Sequence, residues 1–125
     1  MTSNKNILLD DFEMQFVYKF TDKFDNELYV FKVIKDNDLK RIKKEIKKME
    51  KENLTMAFTY TKDNELYIKV TQQHIKQLNK LNLEKESSYK TNLNLTYHDY
   101  KDKQGFFTTM IDTKEVKSAD AFESD

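Results

Sequence analysis

The sequence predicts an α+β domain built on an antiparallel sheet of about six strands, with two helices on one face. Two observations carry that expectation. The pentapeptide DNELY begins at Asp25 and again at Asp63, each time between two strand-like runs, and a helical pattern follows each pair. A third pair of alternating segments follows from Tyr89. The chain therefore reads as a doubled strand-strand-helix unit with a C-terminal hairpin added.

In chain order, Phe12 to Phe20 alternates Phe12, Met14, Phe16, Tyr18 and Phe20 against Glu13, Gln15, Val17 and Lys19, the period of a half-buried strand. KFDNE supplies turn chemistry, because Asp and Asn tolerate left-handed backbone angles, and LYVFKVI continues as a second strand. Asp36, Asn37 and Asp38 are suited to cap a helix whose inner face carries Leu39, Ile42, Ile46 and Met49. Leu54 to Thr61 alternates as a third strand, KDNE turns the chain and LYIKV forms a fourth. Thr71 then caps a second helix bearing Ile75, Leu78 and Leu81. Leu93, Leu95 and Tyr97 mark a fifth strand, YHDYKDKQG a polar loop and FFTTMID a sixth. Residues 1–11 are expected to be a flexible N-terminus, 12–117 a single domain and 118–125 an acidic mobile tail.

A length of 125 residues supports one core. Without cysteine there is no disulfide framework and no thiolate metal site, which fits a reducing compartment, so a cytoplasmic protein is expected. Before Asp10 and Asp11 the N-terminus offers only the apolar run Ile7 to Leu9, too short for a signal peptide or a spanning helix, and no membrane association is expected. Zero prolines, one glycine and heavy Lys and Asn usage indicate an AT-rich coding sequence, common in low-GC Gram-positive bacteria and their phages and shared by AT-rich eukaryotes and large viruses. The zero net charge conceals a gradient: residues 1–13 sum to −2, residues 14–118 to +5 and residues 119–125 to −3. A basic body lies between acidic ends.

No catalytic signature is present. His74 and His98 are the only histidines, and their spacing builds no zinc site. One glycine cannot make a phosphate-cradling loop, and the acid pairs Asp10 with Asp11 and Asp36 with Asp38 suit turns and caps better than a two-metal centre. A non-enzymatic protein without metal or cofactor is expected.

If both helices cover one face of the sheet, that face takes Leu28, Val30 and Ile34 from the first unit and Leu66, Ile68 and Val70 from the second. The pleat then sends Tyr29, Phe31, Tyr67 and Lys69 to the other face, with Lys19 beside them. Exposed aromatic rings among lysines match single-stranded DNA or RNA, whose bases stack on Tyr or Phe while Lys neutralises phosphate. Lys101 and Lys103, in the last hairpin loop, extend the set. The competing reading is that these rings pair across strands or are buried in a homo-oligomer interface. The lysine-rich helix, +3 from Asp38 to Asn53, is either a solvated face or a flank for phosphate or a partner.

The acidic, aromatic-bearing tail DAFESD beside a basic body resembles small phage single-stranded DNA-binding proteins of low-GC Gram-positive hosts. That resemblance implies a replication accessory whose tail residues Asp120, Phe122, Glu123 and Asp125 contact replication proteins. It also implies an OB-fold barrel, with five strands and one helix between the third and fourth, as the alternative architecture. Nonspecific single-stranded DNA binding is thus the leading expectation. A small phage or mobile-element protein that inhibits a host protein is the alternative, and an assembly subunit is a third reading.

Overall fold

The chain is described from a computed structural model that covers residues 6–52, 58–76, 83–99 and 104–116. Strands β1 (Asn6–Thr21) and β2 (Glu27–Val33) form the first hairpin, and α1 (Asp36–Lys51) follows. Next come β3 (Thr59–Lys62) and β4 (Glu65–Thr71), a 3-10 turn at Gln72–His74, and the pair β5 (Ser88–Asp99) and β6 (Gln104–Val116). The strands make one six-stranded sheet in the order β3-β4-β2-β1-β5-β6, every neighbour antiparallel.

The sheet curls. After β4 the chain bends so that Ile75 forms a parallel bridge with Met110 of β6, and the Lys76 N–H donates to the Met110 carbonyl at 2.9 Å. The two halves of the sheet thereby approach each other around one core. Phe12, Met14, Phe31, Ile68, Leu93, Leu95 and Met110 are fully enclosed in it, and α1 packs Ile42 and Met49 onto the same cluster.

Strand β1 begins at Asn6, so residues 6–9, part of the N-terminus 1–11 expected to be flexible, are paired with β5. Asp10 and Asp11 interrupt the alternation because they form a bulge: Asp11 has φ 55°, and its N–H donates to the Asn92 side-chain oxygen at 2.9 Å. A second bulge lies beside it between β5 and β6, with Asp112 at φ 54°. Helix α1 is pinned at the first bulge. Asp38 caps nothing on its own helix; it is buried and accepts the Glu13 N–H at 2.9 Å. Arg41 contacts Asp38 at 3.2 Å, donates to the Asp10 carbonyl at 2.8 Å and places its guanidinium over the Phe12 ring.

The second helix expected after Thr71 is not seen among the described residues. Gln72–His74 form one 3-10 turn, Ile75 joins the bridge to β6, and Leu78 and Leu81 lie outside the described residues. Of the third strand expected over Leu54 to Thr61, the described part is β3 at Thr59–Lys62, and residues 53–57 lie outside the described residues. The C-terminal hairpin falls where alternation placed it.

Among the described residues the Thr108 hydroxyl, on the core side of β6, has no hydrogen-bond partner although the residue is 3% exposed. Thr108→Val keeps the shape and removes the orphaned hydroxyl, so it is expected to stabilise the fold by about 1 kcal/mol. Thermal circular dichroism should show a midpoint raised by a few degrees, and an unchanged or lower midpoint would contradict that assignment.

Candidate functional site

The two DNELY copies face opposite ways. Between paired Lys62 and Glu65, Asp63 (φ 53°) and Asn64 (φ 66°) make a two-residue turn of the kind favoured in tight hairpins. The first copy instead belongs to the longer loop Asp22–Asn26, closed by the Asp22 carboxylate, which accepts the Phe24 and Asn26 N–H groups at 2.9 Å each. Beyond the turns, lysine decides which face is buried. Lys32 falls an even number of places after Leu28, whereas Lys69 falls an odd number after Leu66. Keeping each ammonium group in water sends Leu28 and Val30 outward on β2 but Leu66, Ile68 and Val70 inward on β4.

Tyr29 and Phe31 consequently lie in the core, at 7% and 0% exposure, and not on an open face with Tyr67. Phe31 pairs in register with Phe16 and Ile68 and meets the Tyr89 ring edge-on at 6.5 Å. The Tyr29 hydroxyl donates to Glu27 at 3.0 Å, and burial together with that carboxylate pushes its phenol pKa up. Lys19 stands at the rim of this side, 3.6 Å from Glu27 and 6.0 Å from the Tyr29 ring centre. These three residues do not join the outer surface expected of them.

Tyr67 and Lys69 do face outward, and the register assembles other residues around them. One row across the sheet reads Tyr60, Tyr67, Lys32, Gln15 and the next reads Lys69, Val30, Tyr18. Tyr60 and Tyr67 stack with centroids 5.0 Å apart and planes 9° from parallel. The hydroxyls of Tyr18 and Tyr60 meet at 3.1 Å. Because β1 and β3 are separated by three strand spacings, about 14 Å, these two side chains must lie along the sheet and not stand on it. Val30, between the Tyr18 and Lys69 strands, is fully buried although it lies outside the core cluster.

Tyr18 is 36% exposed, and the Phe20 ring lies 6.0 Å from its own. Burial and the Tyr18 hydroxyl push the Tyr60 phenol well above its ordinary pKa. Tyr67 is also raised, by desolvation and then by Glu65. Tyr60 and Tyr67 are therefore neutral at physiological pH.

Lys32 is held 3.0 Å from Glu65, whereas Lys69 and exposed Lys62 have no ion-pair partner among the described residues. At the end of this face the loop Asp22–Asn26 carries Phe24, at 72% exposure, with Lys23 5.3 Å over its ring. No family model, curated protein or solved structure matches the chain.

The β5–β6 connection holds Lys101 and Lys103, and the tail holds Asp120, Phe122, Glu123 and Asp125; all six lie outside the described residues. Sequence reasoning missed Tyr18, Tyr60 and Phe24. For Tyr18 the signal was the position of Val17, an extra residue at a β1 bulge that transfers Tyr18 and Phe20 to the outer face. A separate open trough of about 780 Å³ lies over the paired bulges, where Asp11 and Asp112 face Lys90 and Lys114, so its charges balance. Among the described residues no group of His, Cys, Asp and Glu gathers to hold a metal, and no helix is long and apolar enough to cross a membrane.

Proposed function

We propose that this chain binds single-stranded nucleic acid without sequence specificity, on the outer face of β1, β2, β4 and β3. The observation that carries the reading is the group Tyr18, Tyr60 and Tyr67, lying along a face that no other described element covers, with Lys69, Lys62 and Lys32 among them. Bases stack on such rings for roughly 1–3 kcal/mol each, and the lysines neutralise phosphate.

The connectivity supports the same reading. In an OB-fold barrel the first strand pairs with the second and fourth, the third follows the second, and the barrel closes where the third runs parallel to the fifth. Here β1, β2, β4, β5 and β6 take those places in order, the Ile75–Met110 bridge supplies the parallel closure, and α1 with β3 is an insertion between the second and third places. Such barrels bind oligonucleotides on the face of the second and third strands and with the loops after the first and fourth. Those places correspond to the tyrosine face, to the Phe24 loop and to the connection carrying Lys101 and Lys103.

Fluorescence anisotropy with labelled oligo-dT of about 30 nucleotides tests the reading, with duplex DNA as competitor. Binding is expected that weakens steeply with salt and resists the duplex. No binding at low salt would remove the proposal and direct attention to a protein partner.

A further inference from the structure

Helix α1 carries a charge pattern that its packing does not require. Its apolar residues Leu39, Ile42, Ile46 and Met49 form one stripe, with Ile42 and Met49 buried in the core. Directly opposite, Lys40, Lys44, Lys47 and Lys51 form a single line, all exposed. At 1.5 Å per residue that line is about 16 Å long. None of its four members is in an ion pair among the described residues; Glu45 lies on the flank and meets Lys48 at 3.9 Å.

A face selected only for solubility alternates Glu and Lys four apart, because like charges at that spacing weaken a helix. This helix does the reverse, placing Lys40 with Lys44, Lys43 with Lys47, Lys44 with Lys48 and Lys47 with Lys51. A polyanion laid along the line turns that repulsion into attraction. A lipid surface is the poorer match, since an interfacial helix must offer its apolar stripe to the bilayer and this one is committed to the core.

The helix is also close to the tyrosine face along the chain. Glu52 ends α1, and the Phe58 carbonyl accepts the Lys69 N–H at 2.8 Å. The six residue steps between them span at most about 20 Å.

We infer that the lysine line of α1 is a second phosphate-contacting surface, along which a nucleic-acid strand continues after it leaves the tyrosine face. The inference rests on the function proposed above, and the test separates the two. Lys44→Gln, Lys47→Gln and Lys51→Gln are combined in one variant, and affinities for oligo-dT of about 8 and about 30 nucleotides are measured across a salt series, both lengths being relevant to a domain of this kind.

The variant is expected to match the wild type on the short oligonucleotide. On the long one its log-log salt slope should fall by about 2, three lost contacts at about 0.7 each, so that a fourfold rise in salt costs it roughly fifteen- to twentyfold less affinity than it costs the wild type. An unchanged slope on the long oligonucleotide overturns the inference and leaves the tyrosine face standing. So does an equal loss on both lengths, which would merge the lysines into the primary site. Lysine-dependent cosedimentation with phosphatidylserine vesicles, with the oligonucleotide slope unchanged, overturns it in favour of a membrane. Failure of the wild type to bind either length removes both proposals. Circular dichroism checks that the variant is folded; removing like-charge pairs should leave its midpoint at or above that of the wild type.

Discussion

Replacing Tyr60 and Tyr67 together with alanine is expected to weaken oligo-dT binding about a hundredfold or more, while the domain still melts cooperatively. The two rings supply stacking surface worth roughly 1–3 kcal/mol per base. They belong to the outer face, stacked on each other, away from the core formed by Phe31, Ile68 and Leu95. Their loss should therefore be felt in affinity more than in folding. Anisotropy and thermal denaturation of the same preparation check both halves of the expectation. Wild-type affinity in the double variant would eliminate stacking on this face as the mechanism.

Phe31→Ala should do the opposite. Phe31 is completely enclosed, between Phe16 at 5.5 Å and Tyr89 at 6.5 Å, and truncating such a ring costs about 3–5 kcal/mol. Domains of this size have a total stability of about 5–15 kcal/mol, so the variant should unfold at far lower urea, and part of the population could be unfolded without denaturant. Urea titration followed by circular dichroism measures the loss. A variant of full stability with impaired nucleic-acid binding would return Phe31 to the surface and contradict the register described above.

The hairpins were legible in the sequence because turn residues and period-two alternation are local signals. DNELY marked both turns, and Leu93, Leu95 and Tyr97 marked the last pair of strands. The burial of β2 was not legible in the same way. Leu28 and Val30 oppose Tyr29, Phe31 and Val33, so both faces of that strand are apolar, and the repeated pentapeptide suggested that the copies pointed alike. The deciding residue was Lys32, whose distance from Leu28 differs in parity from that of Lys69 from Leu66.

The N-terminal part of β1 was hidden by Asp10 and Asp11, which read as a polar break and are a bulge inside a continuous strand. The closing bridge was hidden for another reason. Ile75 fits a helical period in the sequence, yet its backbone pairs with Met110, a contact that local spacing does not encode. Two residues of the candidate site, Tyr67 and Lys69, followed from alternation alone. Tyr18, Tyr60 and Phe24 depended on a bulge, an edge pairing and a loop that only the assembled sheet brings together.

The central position of β1 also sets an order of events during synthesis. Its first residues pair with β5, and Asn6 reaches the Thr96 hydroxyl across 90 positions of chain. On a ribosome, which releases the N-terminus first, the β1–β2 hairpin must wait with one edge unpaired until most of the protein has emerged. Contacts of such long range are entropically late, so sheet closure should be the slow step of folding, and α1, bound to β1 through Asp38 and Arg41, is placed to cover the waiting strand.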